Sequence, residues 1–403
     1  MAESPTQMEE RLVVKAAPDL VFTVLTSPAD IVGWLSNEAS VENHPGGRYE
    51  LRWRSGYAVH GKVISTDKPR LFSVSWRGSS EPGPTEVAFS LTPAPDGAEV
   101  TVLQTGFGHG AEWSAALAEA HKGWAIALQN LQHLMETGID LREARRPLMG
   151  INPGDPLDAE RVVNEGIDAK SGIYISGVID GLSAQAAGLR SHDVITEIDS
   201  KPVTDFDSLV SVLQGHVAGD VVAVEFVRGR EHKSVRLELK PRPLPDIPPD
   251  PKMLMAMLLE RYEHARLEVA QGMARSSEDQ AMRTPAPGEW SAHETLAHLC
   301  VTERDTQFWL GGILLGNDPP NEPGNPSTVP EKMASVLSAA PTTAALLNHL
   351  AQDQADTLAM IAALRPEIVA NKARYRRIGQ TVFEMADHVH EHVAQLKAAL
   401  AAK

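Results

Sequence analysis

Three histidines near the end of the chain, His298, His388 and His392, have the type and spacing of a metal-ligand set. His388 and His392 are four residues apart, so on a helix they lie one turn apart on the same face, as paired helical ligands require. His298 belongs to a separate helical segment that opens with Ser291-Ala292-His293-Glu294, and the segment holding His388 contains Thr381-Val382-Phe383-Glu384. Both tetrads read as capping boxes, in which hydroxyl and carboxylate reciprocally satisfy orphan amides. His298 and His388 each lie seven residues beyond their expected cap, which is about 10 Å into the helix. In a bundle of alternating direction the two helices run parallel, and the imidazoles arrive at one level. Three neutral imidazoles around one point bind a divalent cation and leave a position for water or substrate. Zinc and nickel are the expected occupants, because imidazole suits both. By spacing alone, His388-x-His390-x-His392 also fits a solvated helix face.

Neighbouring residues are expected to do other things. His293 is about 140° around its helix from His298, and His390 about 200° from His388, so both should face away from the site. Glu294 lies one turn before His298, where it caps the helix and is also placed to orient that imidazole. Cys300 falls on another face, as a buried inert thiol. No residue identifies a general base, so the catalytic set is unknown.

The elements that must carry these residues are helical segments at 251–274, 291–315, 342–364 and 381–401, with a Pro- and Asn-rich crossing loop at 316–330. Gly288-Glu289-Trp290-Ser291 followed by Leu296-Ala297-His298-Leu299, and then His388-x-x-x-His392-x-x-Gln395, resemble the two signatures of the DinB superfamily. The likeness covers residues 252–400 of a domain taken as 252–403. It implies a metal-binding four-helix bundle with His298, His388 and His392 as ligands. Some DinB-like proteins are thiol-dependent transferases or isomerases, so the resemblance also admits an enzyme.

Ahead of this bundle, residues 241–251 hold six prolines, which continue neither a helix nor a central strand; residues 244–251 are expected to be a semi-rigid linker. Residues 172–178, 197–203 and 221–229 read as strands, with a short helix at 206–213. Ser183-Ala184-Gln185-Ala186-Ala187-Gly188-Leu189, then His192-Asp193-Val194-Ile195, then the Arg-Gly hairpin resemble a PDZ domain of the bacterial protease-associated kind. The domain is taken as 146–243, and it departs from the usual pattern at His192, where Gly is commonest. Such a domain adds a peptide strand to a sheet edge and captures a C-terminal carboxylate on backbone amides. By resemblance the capturing loop is Leu148-Met149-Gly150-Ile151, and Phe206 and Val210 line the other wall. The partner would be a peptide or a protein C-terminus. Alternatively, residues 152–171 fill the edge and the domain is a spacer. No Ser-His-Asp set accompanies it, so proteolysis is not expected.

Residues 11–15, 48–53, 57–65, 71–76, 85–91 and 99–105 alternate as strands, followed by a long amphipathic helix at 111–136. Ala17-Pro18 with Val21-Phe22, Trp34, Gly46-Gly47, Val74-Ser75-Trp76, and Gly123-Trp124 with Leu128 and Leu131 resemble the START-like SRPBCC superfamily. Within it, the likeness is to homologues of the ATPase activator of the ninety-kilodalton heat-shock chaperone. It covers residues 8–138 of a domain taken as 1–145 and implies a helix-grip fold. Members bind an apolar small molecule or a client protein, and Trp34, Trp53, Trp76 and Trp124 are the candidate cavity residues. The same four tryptophans also fit a packed core. His60 and His109 read as solvated or structural.

The fold class is therefore multidomain α+β: a helix-grip domain, a PDZ β-sandwich or barrel, and an all-α bundle. A net charge of -16 over 403 residues argues against nucleic acid and anionic membrane surfaces as partners. No apolar run approaches the length of a membrane span. One cysteine excludes an internal disulfide framework, and the N-terminal residues carry no basic-then-apolar signal, so a cytoplasmic protein is expected. The reading that fits best is a binding or adaptor protein; a metal-dependent thiol S-transferase or isomerase is the alternative.

Overall fold

The structure, a computed structural model, describes residues 7–274, 276–286, 288–315 and 330–401. These divide into two compact units, one of residues 141–244 and the other of residues 1–140 together with 245–403. The crossing loop expected at 316–330 lies outside the described residues except for Pro330.

The N-terminal part starts with β1 (Gln7–Val14), α1 (Pro18–Thr26) and α2 (Pro28–Val32), then β2 (Glu38–Val41), β3 (Arg48–Arg52), β4 (Ala58–Asp67), β5 (Leu71–Gly78), β6 (Thr85–Ala94), β7 (Gly97–Thr105) and α3 (Ala111–Thr137). The sheet is a continuous antiparallel meander from β2 to β7, and β1 returns to pair with β7. Alternation is strict along β7, where Ala98, Val100, Val102 and Gln104 are buried and their neighbours are not. That buried face packs on Trp124, Leu128 and Leu131 of α3, giving a helix gripped by a sheet. The short β2 escapes the sequence pattern because its residues, Glu-Ala-Ser-Val, carry little strand propensity.

The second unit holds α4 (Leu141–Ala144), β8 (Pro147–Leu148), β9 (Ile151–Pro156), α5 (Ala159–Glu165), β10 (Ile173–Val178), α6 (Ser183–Ala186), β11 (Asp193–Ile198), β12 (Lys201–Pro202), α7 (Phe206–Leu213), β13 (Val221–Arg228), β14 (Glu231–Glu238) and β15 (Lys240–Pro241). Its main sheet runs β14-β13-β11-β10-β9, with β12 beside β11, while β15 pairs with β8. Asp205 caps α7 by accepting from the Ser208 amide, and the Ser208 hydroxyl accepts from the Asp205 amide. His192 sits at φ 73°, in the left-handed region that glycine enters freely, which explains why Gly is usual there. Its ring is held by the Tyr174 hydroxyl and lies 3.3 Å from Glu165.

The C-terminal part comprises α8 (Pro251–Met273), α9 (Glu278–Met282), α10 (Ala292–Leu314), α11 (Pro330–Ala339), α12 (Thr343–Ala362), α13 (Pro366–Ala370) and α14 (Lys372–Ala401). Side-chain pairs fix the helix directions. Cys300, Arg304 and Gln307 meet Leu346, Asp353 and Thr357 in turn, so α10 and α12 run parallel. Arg261 and Glu268 meet Asp387 and His390, so α8 and α14 run parallel too. His298 meets His388 while Trp309 lies under Arg377, so α10 and α14 are antiparallel.

Two expectations change here. The bundle does not alternate, and α14 begins at Lys372 rather than Thr381. Thr381 is buried within the helix instead of capping it. The sequence hides this start because residues 372–380 carry Lys372, Arg374, Arg376 and Arg377, and cations at a helix N-terminus oppose its dipole. Tertiary partners compensate for that. Arg374 pairs with Asp30, Lys372 donates to the Glu136 carbonyl and Arg376 to that of Pro245. The proline-rich stretch is likewise no free spacer over its second half. The Tyr375 hydroxyl donates to the Pro248 carbonyl, and Ile247 packs so close to Gly379 that a Cβ there would come within 2.5 Å of it.

Among the described residues, no helix is long and apolar enough to cross a membrane.

Candidate functional site

α10 and α14 bring His298, His388 and His392 together. His298 Nε2 and His392 Nε2 each lie 3.1 Å from His388 Nε2. The antiparallel crossing still superposes them, because His388 sits deep in the longer α14 at the level of the first turns of α10. Two errors in the expected geometry, helix direction and helix start, therefore cancel. The capping box at the head of α10 is present: Ser291 Oγ accepts from the Glu294 amide, and Glu294 Oε2 accepts from the Ser291 amide.

The outer nitrogen of an imidazole decides which way its lone pair points. His392 Nδ1 donates to the side-chain Oε1 of Gln395 at 2.6 Å, and His388 Nδ1 lies 3.5 Å from Glu391. An imidazole whose Nδ1 proton is engaged outward presents an unprotonated Nε2 inward. That holds for His392. With His388 Nε2 3.1 Å from each of the other two and one nitrogen of each ring within 4.8 Å of the others, the three imidazoles suit a cation bound at about 2.0–2.1 Å from each nitrogen. The donor set therefore fits a borderline divalent metal. Burial, reinforced by the imidazoles of His392 and His388, pulls His298 down to about 4. Burial also lowers His392, opposed by its bond to Gln395. Both shifts keep the rings neutral and ready to ligate.

One expected partner does something else. Glu294 is engaged in the cap, and His298 Nδ1 is buried without a hydrogen-bond partner among the described residues. The indole of Trp290 covers that ring instead, with centroids 4.8 Å apart. Trp290 is the site residue to which sequence reasoning gave no role, although it stood in the quoted motif. His293 faces away, with Nε2 3.0 Å from Glu278 and 2.9 Å from Thr343. His390 also points out, toward Glu268. Cys300 is buried, and desolvation pushes its thiol up to about 12. Below the histidines, Tyr262 and Thr357 both donate to the buried Glu303 Oε1, at 2.7 and 2.5 Å, tying α8 and α12 to α10. That cluster gives no periodicity signal.

In the second unit, Gly150 adopts φ 84°, and a Cβ there would fall 2.4 Å from Leu182. The Met149 and Gly150 carbonyls accept from Ala184 and Ile179, which holds the 148–151 loop at the head of β9. Residues 151–156 are themselves the edge strand, paired to β10. Among the described residues no strand covers the other side of β9. Helix α7 lies beside it, with Phe206 exposed and Val210 half-buried.

The four tryptophans take different positions. Trp34, Trp76 and Trp124 are buried in the core, and Trp53 is packed at its margin. Each indole N–H is satisfied internally, by the carbonyls of Val24 and Leu35 for Trp34 and Trp53, by Glu81 for Trp76 and by Gln104 for Trp124. His60 is exposed near Glu50, and His109 is exposed.

Residues 15–136 match the family described as activator of Hsp90 ATPase homolog 1-like protein, residues 138–239 the PDZ domain, and residues 258–396 the DinB superfamily. The chain carries these three domains in that order. Among curated proteins it is 28% identical over 118 residues to the periplasmic serine endoprotease DegP of Escherichia coli, covering 29% of this chain and 25% of DegP. It is 42% identical over 71 residues to the serine protease Do-like HtrA of Lactobacillus helveticus, covering 18% and 17%. The chain thus spans a quarter or less of the length of these relatives. Among solved structures it resembles the Aha1 dimer from Colwellia psychrerythraea, with 20% identity, 32% of this chain and 96% of that one covered, and a TM-score of 0.29. An HSP90 activator from Plasmodium falciparum gives 16% identity, 33% and 97% coverage, and a TM-score of 0.29. The domain set is that of a multidomain binding protein.

Proposed function

We propose that this protein is a cytoplasmic adaptor whose activator-like domain holds a client, whose PDZ domain tethers a peptide C-terminus, and whose DinB domain carries a zinc or nickel ion. The observation that carries this reading is the side of β9 that no strand covers among the described residues, beside Phe206 and Val210 and headed by the glycine loop at 148–151. Peptide backbone would add to that edge and the terminal carboxylate would sit on the loop amides. Pro153 and Pro156 within β9 carry no N–H to donate, so the loop must supply much of the grip. A client protein is favoured over a small apolar molecule in the first domain because Trp34, Trp76 and Trp124, the expected cavity residues, are buried in its packed core. The single buried Cys300 is compatible with a reducing compartment.

A second reading keeps a specific observation in its favour. Three imidazoles leave a tetrahedral site one ligand short, and a bound divalent ion there would lower the pKa of a coordinated thiol. The residues' part in that chemistry would be to hold the ion through Nε2, with Gln395 fixing the His392 ring and Trp290 excluding water from His298. This makes the alternative a metal-dependent thiol S-transferase or isomerase.

One experiment separates the two. Full-length protein with zinc or nickel restored is presented with a panel of C-terminal peptides, and separately with low-molecular-weight thiols plus epoxide or halide electrophiles. Peptide retention that is lost on replacing Gly150, with no thiol consumption, supports the adaptor. Thiol consumption abolished by His388→Ala, with no peptide retained, overturns it.

A further inference from the structure

The outward histidine of α14 is not left in solvent. His390 Nδ1 lies 2.5 Å from Glu268 Oε2, and His264 Nε2 lies 3.8 Å from the other oxygen of the same carboxylate. The two imidazoles stack with centroids 6.2 Å apart. One donor atom from each of the three residues lies within 4.8 Å of the others. His264 and Glu268 are one turn apart on α8, so they share a face, and α14 brings His390 to that face because the two helices run parallel. The Arg261–Asp387 ion pair at 2.5 Å, with Arg261 also stacked over Phe383, fastens the seam one turn away.

We propose that His264, Glu268 and His390 form a second divalent-cation site, on the outer seam of α8 and α14 and separate from the three-histidine centre. The donor set is two imidazole nitrogens and one carboxylate. That mixture selects zinc, nickel or copper over magnesium and calcium, which take oxygen ligands. Tetrahedral ligation at about 2.0–2.2 Å separates neighbouring donors by roughly 3.3 Å, so the His390–Glu268 pair would open by less than about 1 Å. The exposed ring of His390, facing a half-buried Glu268, allows that movement. Water completes the shell, as befits a surface site. α14 would then be a shared rib, with His388 and His392 serving one ion and His390 the other. The site stands on its own residues and does not require that the three-histidine centre be filled or catalytic.

The test counts zinc equivalents on the full-length protein by calorimetry against Zn2+ alone. The wild type is expected to take two equivalents, one more weakly. The variant H264A/E268Q, which leaves α14 untouched, should take one, with the affinity of the remaining site unchanged. H298A/H388A should retain the weaker equivalent. Zinc should also protect His264 and His390 of H298A/H388A from diethyl pyrocarbonate by at least tenfold. The proposal is overturned if H264A/E268Q binds as many equivalents as the wild type, or if zinc leaves both histidines equally reactive. Far-ultraviolet circular dichroism verifies that each variant is folded.

Discussion

Arg374 Nη2 lies 2.7 Å from Asp30 Oδ2, a buried ion pair between residues 344 positions apart. The Asn371 amide completes it by donating to the other carboxylate oxygen at 3.0 Å. Close by, a Cβ on Gly138 would come within 2.5 Å of the Lys372 carbonyl. The first turn of α14 is therefore a joint that fastens the DinB domain to the activator-like domain, across an insertion of about a hundred residues. Breaking one partner of a buried pair leaves the other charge unsolvated, which costs about 3–5 kcal/mol. Asp30→Ala is expected to uncouple the two domains, so that urea unfolding of the full chain shows two separated transitions instead of a shared one. The double replacement Asp30→Leu with Arg374→Met should restore part of the loss, because it orphans no charge and leaves only the Asn371 amide without its acceptor. A single replacement that leaves the transitions superposed would show that the pair does not join the domains.

Much of this organisation was legible in the sequence. Period-2 alternation located most strands of the first sheet, and three of the bundle helices begin and end within a residue or two of expectation, because their apolar stripes and caps are local signals. The joint was not legible. Residues 372–380 put four cations at a helix start, which reads as a poor beginning until Asp30 and the Glu136 carbonyl, far away in sequence, are placed against them. Helix direction was missed for the same kind of reason. The long segment between α10 and α12 permits a crossover, and only paired contacts such as Arg304 with Asp353 decide it. The histidine triad survived both misreadings, since the faces of α10 and α14 were assigned correctly even though their relative direction was not.

Acid should weaken the metal-free bundle through the triad. A histidine whose folded-state pKa lies below its unfolded value binds its proton more readily when unfolded. For His298 those values are about 4 and 6.5, with burial the main cause, and His392 is lowered in the same direction. Stability contributed by the neutral rings is therefore complete above about pH 6.5 and is lost as pH falls toward 4. The urea midpoint of metal-free protein should drop across that window. His298→Ala should flatten the drop. An unchanged slope in that variant would place the acid sensitivity elsewhere.

Cys300 should be inert in the native protein. Its thiol is buried and held up to about 12, so almost none is thiolate at neutral pH. Iodoacetamide at pH 8 is expected to label native protein at least a hundredfold more slowly than protein in urea. Mass spectrometry of the intact chain measures both rates. Rapid native labelling would mean that the α10–α12 contact, where Sγ lies 3.8 Å from the Leu346 carbonyl, opens readily.

The PDZ loop offers the most local test of peptide capture. Gly150 combines φ 84° with an approach to Leu182 that leaves no room for a Cβ. Alanine there incurs the left-handed penalty of about 1 kcal/mol and must also push Leu182 or the loop aside. Either movement displaces the amides of residues 149–151 that would hold a carboxylate. Gly150→Ala should therefore lower affinity for C-terminal peptides at least tenfold while lowering the thermal midpoint of the domain by only a few degrees. Phe206→Ala acts on the opposite wall, where the exposed ring would cover the peptide's side chain without touching its carboxylate. That variant should weaken binding of peptides with apolar termini more than those with small ones, and leave stability unchanged. Fluorescence anisotropy with peptides differing only in their last residue distinguishes these effects. Equal loss for all peptides in both variants would contradict the division of labour between loop and helix.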